Sequence, residues 1–172
     1  AYEIRNCDWS SDVCSSDLRY HDPRRFGCML WIESGASAHP LLRDLGPEPL
    51  EAGFDGRVLS DAARGRRTSV KQLLMDGAVV VGVGNIYASE ALFRAGIDPR
   101  RAAGRVSAAR YDALAGAVRD VLGESVATGG TTLRDYVDGN GQPGEFALRL
   151  NVYGREGEAC PRCAGPIRQV RL

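Results

Sequence analysis

No apolar run in the 172 residues is long enough to cross a bilayer, and no basic segment followed by an apolar one opens the chain. A soluble cytoplasmic protein is the default expectation. There is no internal repeat, which sets aside solenoids and arrays. Net charge is missing too, with 22 Lys and Arg against 22 Asp and Glu. The five cysteines are an odd number with one tight pair, which does not suit a secreted disulfide framework. What remains is a globular chain, 44% apolar, long enough for one ordinary domain or two small ones.

The zero net charge hides an uneven distribution. Residues 56–119 hold 11 Lys and Arg but 5 Asp and Glu, whereas residues 1–55 hold 5 and 10. Residues 120–158 hold 3 and 7. A basic middle between acidic flanks fits a local phosphate-facing surface, against the plainer reading of solvated basic helices.

Residues 1–17 crowd Ser, Asp and Cys together without helical or strand period. They are expected to be a non-native leader, such as translated adapter sequence, joined near Asp17 and Leu18. Residues 19–31 read as extended chain interrupted at Asp22-Pro23. Residues 34–56, rich in Gly and Pro, read as a linker. From Arg57 the period turns helical. A first helix is expected over 57–64. A second starts near Thr68 and stops at Asp76-Gly77. A third is capped by Asn85 and ends at Gly96, and a fourth runs from Ser107 to Gly129-Gly130. Residues 148–153 alternate as a strand leading to Cys160-Pro-Arg-Cys163.

The most informative stretch is 79–90, VVVGVGNIYASE, an apolar run and glycine turn entering a helix. Such a turn aims backbone N–H groups at an anion, usually a phosphate. A dinucleotide site would need a third glycine at position 87, where Tyr87 stands. It would also need an acidic ribose-binding residue about 20 residues on, and residues 102–105 contain none. The alternative is two helices meeting at a glycine turn against a DNA backbone. Asn85 and the first N–H groups of the helix would take a phosphate oxygen there, with Lys71, Arg66 and Arg67 supplying cations.

Here four ordered blocks carry a family resemblance. Residues 71–76, KQLLMD, through 82–90, GVGNIYASE, and then Gly96-Ile97-Asp98-Pro99 resemble the helix–two-turn–helix of formamidopyrimidine-DNA glycosylase, the bacterial base-excision enzyme for oxidised purines. Residues 22–27, DPRRFG, resemble its void-filling loop, and 129–136, GGTTLRDY, the start of its lesion-covering loop. Residues 152–157, VYGREG, with Cys160 and Cys163 resemble the entry to its zinc finger. The resemblance spans 18–172.

The resemblance implies an α+β chain. Its parts would be the remnant of a β-sandwich strand pair (18–33), a linker (34–56), a helical DNA-binding domain (57–146) and a partial zinc-finger hairpin (147–172). It implies a bifunctional glycosylase and AP lyase that binds damaged double-stranded DNA, acts as a monomer, and involves no membrane. An enzyme that works on a base must unstack it, at about a few kcal/mol, and something must fill the gap. By resemblance Phe26 wedges between bases and Arg24 bonds the orphaned partner base. Arg66, Lys71 and Asn85 hold phosphates near the flipped nucleotide, and Tyr87 supports that site or packs. The plainer readings are a core aromatic for Phe26, surface charges for Arg24 and Arg66, and a simple N-cap for Asn85.

Structural zinc takes four ligands, usually two C-x2-C pairs. Cys160 and Cys163 are one such pair, and Cys7, Cys14 and Cys28 have the wrong spacing for the other. The family nucleophile is an N-terminal proline with a glutamate beside it. This sequence opens Ala1-Tyr2-Glu3 and its first proline is Pro23. The expectation is a fragment that keeps the DNA grip without the catalyst, the alternative being a non-catalytic module for damaged DNA.

Overall fold

In the computed structural model, residues 3–4, 29–31, 39–131 and 146–171 are described. They fall in two compact units, Ala1–Arg43 and Asp44–Leu172. In the first unit β1 (Glu3–Ile4) pairs antiparallel with β2 (Met29–Leu30), Glu3 opposite Leu30. One half of this pair thus comes from the segment expected to lack strand period. Most of the 18–33 strand remnant, Arg24 and Phe26 included, lies outside the described residues.

The second unit is built on four helices. Helix α1 (Gly56–Ala63) starts at Asp55, whose carboxylate accepts the N–H groups of Arg57 and Val58. Gly56 is where α1 meets α4. A Cβ there would lie 2.5 Å from the Asp112 backbone, so only a glycine permits the approach. Helix α2 (Val70–Leu74) begins with a reciprocal capping box: Ser69 takes the N–H of Gln72, and the Gln72 side chain takes the N–H of Ser69. Helix α3 (Asn85–Ala95) ends at Gly96, whose φ of 67° closes the helix in the left-handed region. Helix α4 (Ala108–Ala127) ends where Gly130 donates back to the Ser125 carbonyl.

The core between these helices is apolar and closed. Leu59, Leu73, Leu74, Leu92, Leu114 and Val121 are all buried. Tyr111 is buried with them, and its hydroxyl donates to the Ala103 carbonyl at 2.9 Å. Arg94 on α3 and Glu124 on α4 form a two-pronged ion pair at 2.6 and 2.7 Å across the helix interface. The Arg94 hydrogen bond holds the Glu124 carboxyl below its ordinary range, and Glu124 in turn raises Arg94.

Two expectations fail here. Residues 148–153 do not form a strand: Phe146–Arg149 is a 3-10 turn, and turns follow it. The N–H groups that a strand would have offered to a neighbour go instead to a buried carboxylate on α3. The N-cap of α3 is Gly84 rather than Asn85. Gly84 has the extended backbone of a cap, which leaves Asn85 as the first helical residue.

Candidate nucleic-acid interface

The glycine turn delivers α3 end-on to solvent. Gly82 takes φ of 75°, which favours glycine, and turns the chain after the buried Val79 and Val80. Gly84 and Asn85 are exposed, and no side chain caps α3. The first N–H groups of an α-helix have no partner within it, so this end presents donors and the positive end of the helix dipole.

Asn85 is held beside the chain that precedes the cysteine pair. Its amide donates to the Tyr153 hydroxyl in a long hydrogen bond of 3.4 Å. Glu90, farther along α3, explains why Tyr153 is there. The Glu90 side chain is fully buried. One of its oxygens accepts the N–H of Val152 at 2.8 Å and of Tyr153 at 2.9 Å. The other accepts the Asn151 N–H at 2.9 Å and its amide at 3.0 Å. Four donors satisfy a carboxylate that has no cation partner among the described residues. Arg155 closes the same turn from outside, donating to the carbonyls of Leu150 and Asn151. The sequence reading missed Glu90; its signal was a charged residue on the apolar face of a helix.

The remaining candidates have varied surroundings. Lys71 is half-buried without an ion-pair partner among the described residues, and loss of hydration lowers its pKa. Such an ammonium is ready for an anion. Arg66 is engaged, its guanidinium 3.0 Å from Asp76 across an exposed pair. The Tyr87 hydroxyl is 2.9 Å from Ser125 and 3.1 Å from Thr131, and its ring packs 6.0 Å from Phe146. Tyr87 thus ties α3 to the end of α4. These three hydroxyl-bearing residues line an open hollow of about 450 Å³ together with Leu122, Val126 and Gly129.

Cys160 and Cys163 form a tight knuckle. The Cys160 N–H donates to Gly165, the Ala164 N–H donates to Cys160, and Ala159 bridges Pro166. The N–H groups of Arg162 and Cys163 hold the Cys160 thiol below its ordinary pKa, a setting suited to a thiolate. The donor chemistry fits two of the four ligands of a structural zinc site. Among the described residues no group of three or more metal-binding side chains gathers there. The knuckle is seated on the C-terminal end of α3 by Arg162, which donates to the Arg94 carbonyl at 2.8 Å and lies 4.8 Å above the Phe93 ring. No helix among the described residues is long and apolar enough to cross a membrane.

The formamidopyrimidine-DNA glycosylase of Halorhodospira halophila is 64% identical over 155 residues, covering 90% of this chain. That of Alkalilimnicola ehrlichii is 62% identical and covers 91%. The chain spans 57% of the length of each of these relatives. Among solved structures, the MutM (Fpg) protein of Thermus thermophilus superposes with a TM-score of 0.84 at 42% identity, covering 91% of this chain and 60% of its own. A Lactococcus lactis FPG mutant, G226P, solved with DNA containing Fapy-dG, superposes with a TM-score of 0.70 at 29% identity, covering 77% and 48%. The family description "Formamidopyrimidine-DNA glycosylase H2TH domain" matches residues 45–137, which include the whole glycine turn and both helices beside it. With more than half of its length so matched, the chain belongs to the formamidopyrimidine-DNA glycosylase family.

Proposed function

We propose that these residues are the DNA-gripping part of a base-excision repair enzyme for oxidised purines, such as 8-oxoguanine and formamidopyrimidines. The whole enzyme is a glycosylase and AP lyase that works as a monomer in the bacterial cytoplasm on damaged double-stranded DNA. The observation that carries this reading is the exposed, uncapped N-terminus of α3 inside the matched family domain. A related structure solved with Fapy-dG DNA supports it.

In this reading Asn85 and the first N–H groups of α3 take a backbone phosphate. Lys71 supplies an ammonium that has no ion-pair partner among the described residues, and Arg66 adds charge once it shares or releases Asp76. Tyr87 acts from behind, as a strut between α3 and α4. Phe26 and Arg24, outside the described residues, fill the gap left by the flipped base. In the whole enzyme Cys160 and Cys163 would supply two of the four ligands of a structural zinc, while tight zinc binding is not expected of these 172 residues, which carry only that one C-x2-C pair. No catalytic residue is assigned within the 172 residues.

The test is binding of a labelled duplex, with and without 8-oxoguanine, over a range of salt. Binding that falls with salt and weakens in Asn85→Ala and Lys71→Ala is expected. Salt-independent or absent binding would refute the reading.

A further inference from the structure

The two ends of α3 differ in chemistry. Asn85 and free N–H groups stand at its start, whereas two arginines from elsewhere in the chain close over its end. Arg110, in the first turn of α4, donates to the Gly96 carbonyl at 2.6 Å. Arg162, in the cysteine knuckle, donates to the Arg94 carbonyl at 2.8 Å and lies 4.8 Å above the Phe93 ring. A Cβ built on Gly96 would meet a nitrogen of Arg162 at 3.6 Å and one of Arg110 at 3.8 Å, so both guanidiniums flank one spot.

Capping of the helix uses little of what these side chains offer. A guanidinium has five N–H donors, and the α3 carbonyls take one from each arginine. Both arginines are exposed, and neither has a carboxylate partner among the described residues. The carboxylates close by in sequence or on α4 are taken: Asp98 pairs with Arg100, and Glu124 with Arg94. Two like charges are therefore held side by side, which costs repulsion that an anion relieves. The stack on Phe93 covers one face of the Arg162 guanidinium and leaves the donors along its planar edge, a geometry that suits two parallel bonds to a carboxylate. Half-buried Phe93 and exposed Pro161 put apolar surface beside the charges.

Position separates this spot from the phosphate grip. An α-helix rises about 1.5 Å per residue, so the 11 residues of α3 put the arginine pair roughly 15 Å from the Asn85 end. We propose that Arg110 and Arg162, with Phe93 beneath Arg162, form a docking site for an acidic peptide segment of a partner protein, one that offers a carboxylate next to an apolar side chain. The site does not depend on the DNA-binding reading above.

The experiment is fluorescence anisotropy of a labelled peptide, aspartates followed by a leucine and a phenylalanine, titrated with the full chain. The control peptide carries asparagines in place of the aspartates. Saturable binding of the aspartate peptide alone is expected, weakened about fivefold in R110Q and about fivefold in R162Q. R57Q, which removes an exposed cation on α1, should bind as wild type does. Thermal unfolding checks that the variants fold; R110Q leaves the Arg162 stack on Phe93 in place, so it decides the matter if R162Q does not fold. No binding, equal binding of the two peptides, or equal weakening in R57Q overturns the proposal. Displacement of the peptide by inorganic phosphate where acetate has no effect would assign the site to phosphate groups and overturn it too. R110Q should keep wild-type duplex binding; a matching loss of duplex and peptide would make the pair part of the phosphate grip and overturn the separate site.

Discussion

The carboxylate of Glu90 accepts the backbone N–H of Tyr153, 63 residues later in the chain, at 2.9 Å. Asn85, five residues before Glu90, reaches the hydroxyl of the same tyrosine. Two residues of α3 therefore hold Tyr153 by its backbone and by its side chain. The chain leading to the cysteine knuckle is registered against the end of α3 that faces solvent. Glu90 is fully buried and acts through the backbone of residues 151–153; it is a positioning residue.

Removing that carboxylate should be costly. Glu90→Ala strands four donors in a buried site, and each hydrogen bond to a charged group is worth about 1.5–3 kcal/mol. A loss of about 3 kcal/mol or more is expected in chemical or thermal unfolding. Hydrogen exchange at Asn151, Val152 and Tyr153 should quicken well beyond that at α1. Equal quickening everywhere would mean that Glu90 stabilises the fold without setting this turn.

Gly56 offers a sharper steric test. A methyl group there collides with the Asp112 backbone, so Gly56→Ala should cost about 1–3 kcal/mol despite the better helix propensity of alanine. Gly53→Ala, where a Cβ meets nothing within 4 Å, is the control and should be close to neutral. Matching melting temperatures for the two variants would contradict the close contact between α1 and α4.

Tyr111 predicts an alkaline limit. Burial pushes its hydroxyl up to about 12 from the ordinary value of 10.0. The folded state thus prefers the protonated phenol, and this contribution is fully present below pH 10 and lost as pH rises from 10 towards 12. Tyr111→Phe should lose about 0.5–1.5 kcal/mol at neutral pH, because the hydrogen bond of its hydroxyl is lost while the Val106 N–H still donates to the Ala103 carbonyl. It should also lack the Tyr111 part of the alkaline fall. Parallel stability curves for the two proteins between pH 9 and 12 would contradict this assignment.

The helices were legible because their signals are local. Asp55 and Ser69 are cap residues, Gly96 ends α3 in the left-handed region, and the spacing of Tyr111, Leu114, Val118 and Val121 follows one helical face. The errors came where a distant group overrides local preference. Residues 148–153 alternate like a strand, yet their N–H groups are claimed by Glu90 on another element. Asn85 is a good cap by type, yet Gly84 takes the cap and the Asn85 amide turns to Tyr153. Arg66 looked like a free cation because nothing in the spacing shows that the α2 turn brings Asp76 back to it.

The most direct measurement is a titration of the isotopically labelled chain with a short duplex, followed by the backbone amide resonances. The expected result is saturable, salt-sensitive shifts largest at Asn85, Ile86 and Tyr87, with Tyr153 moving alongside them because it shares the Asn85 contact. A duplex that binds while those amides stay in place, or that shifts them equally in Asn85→Ala, would contradict a phosphate grip at the N-terminus of α3.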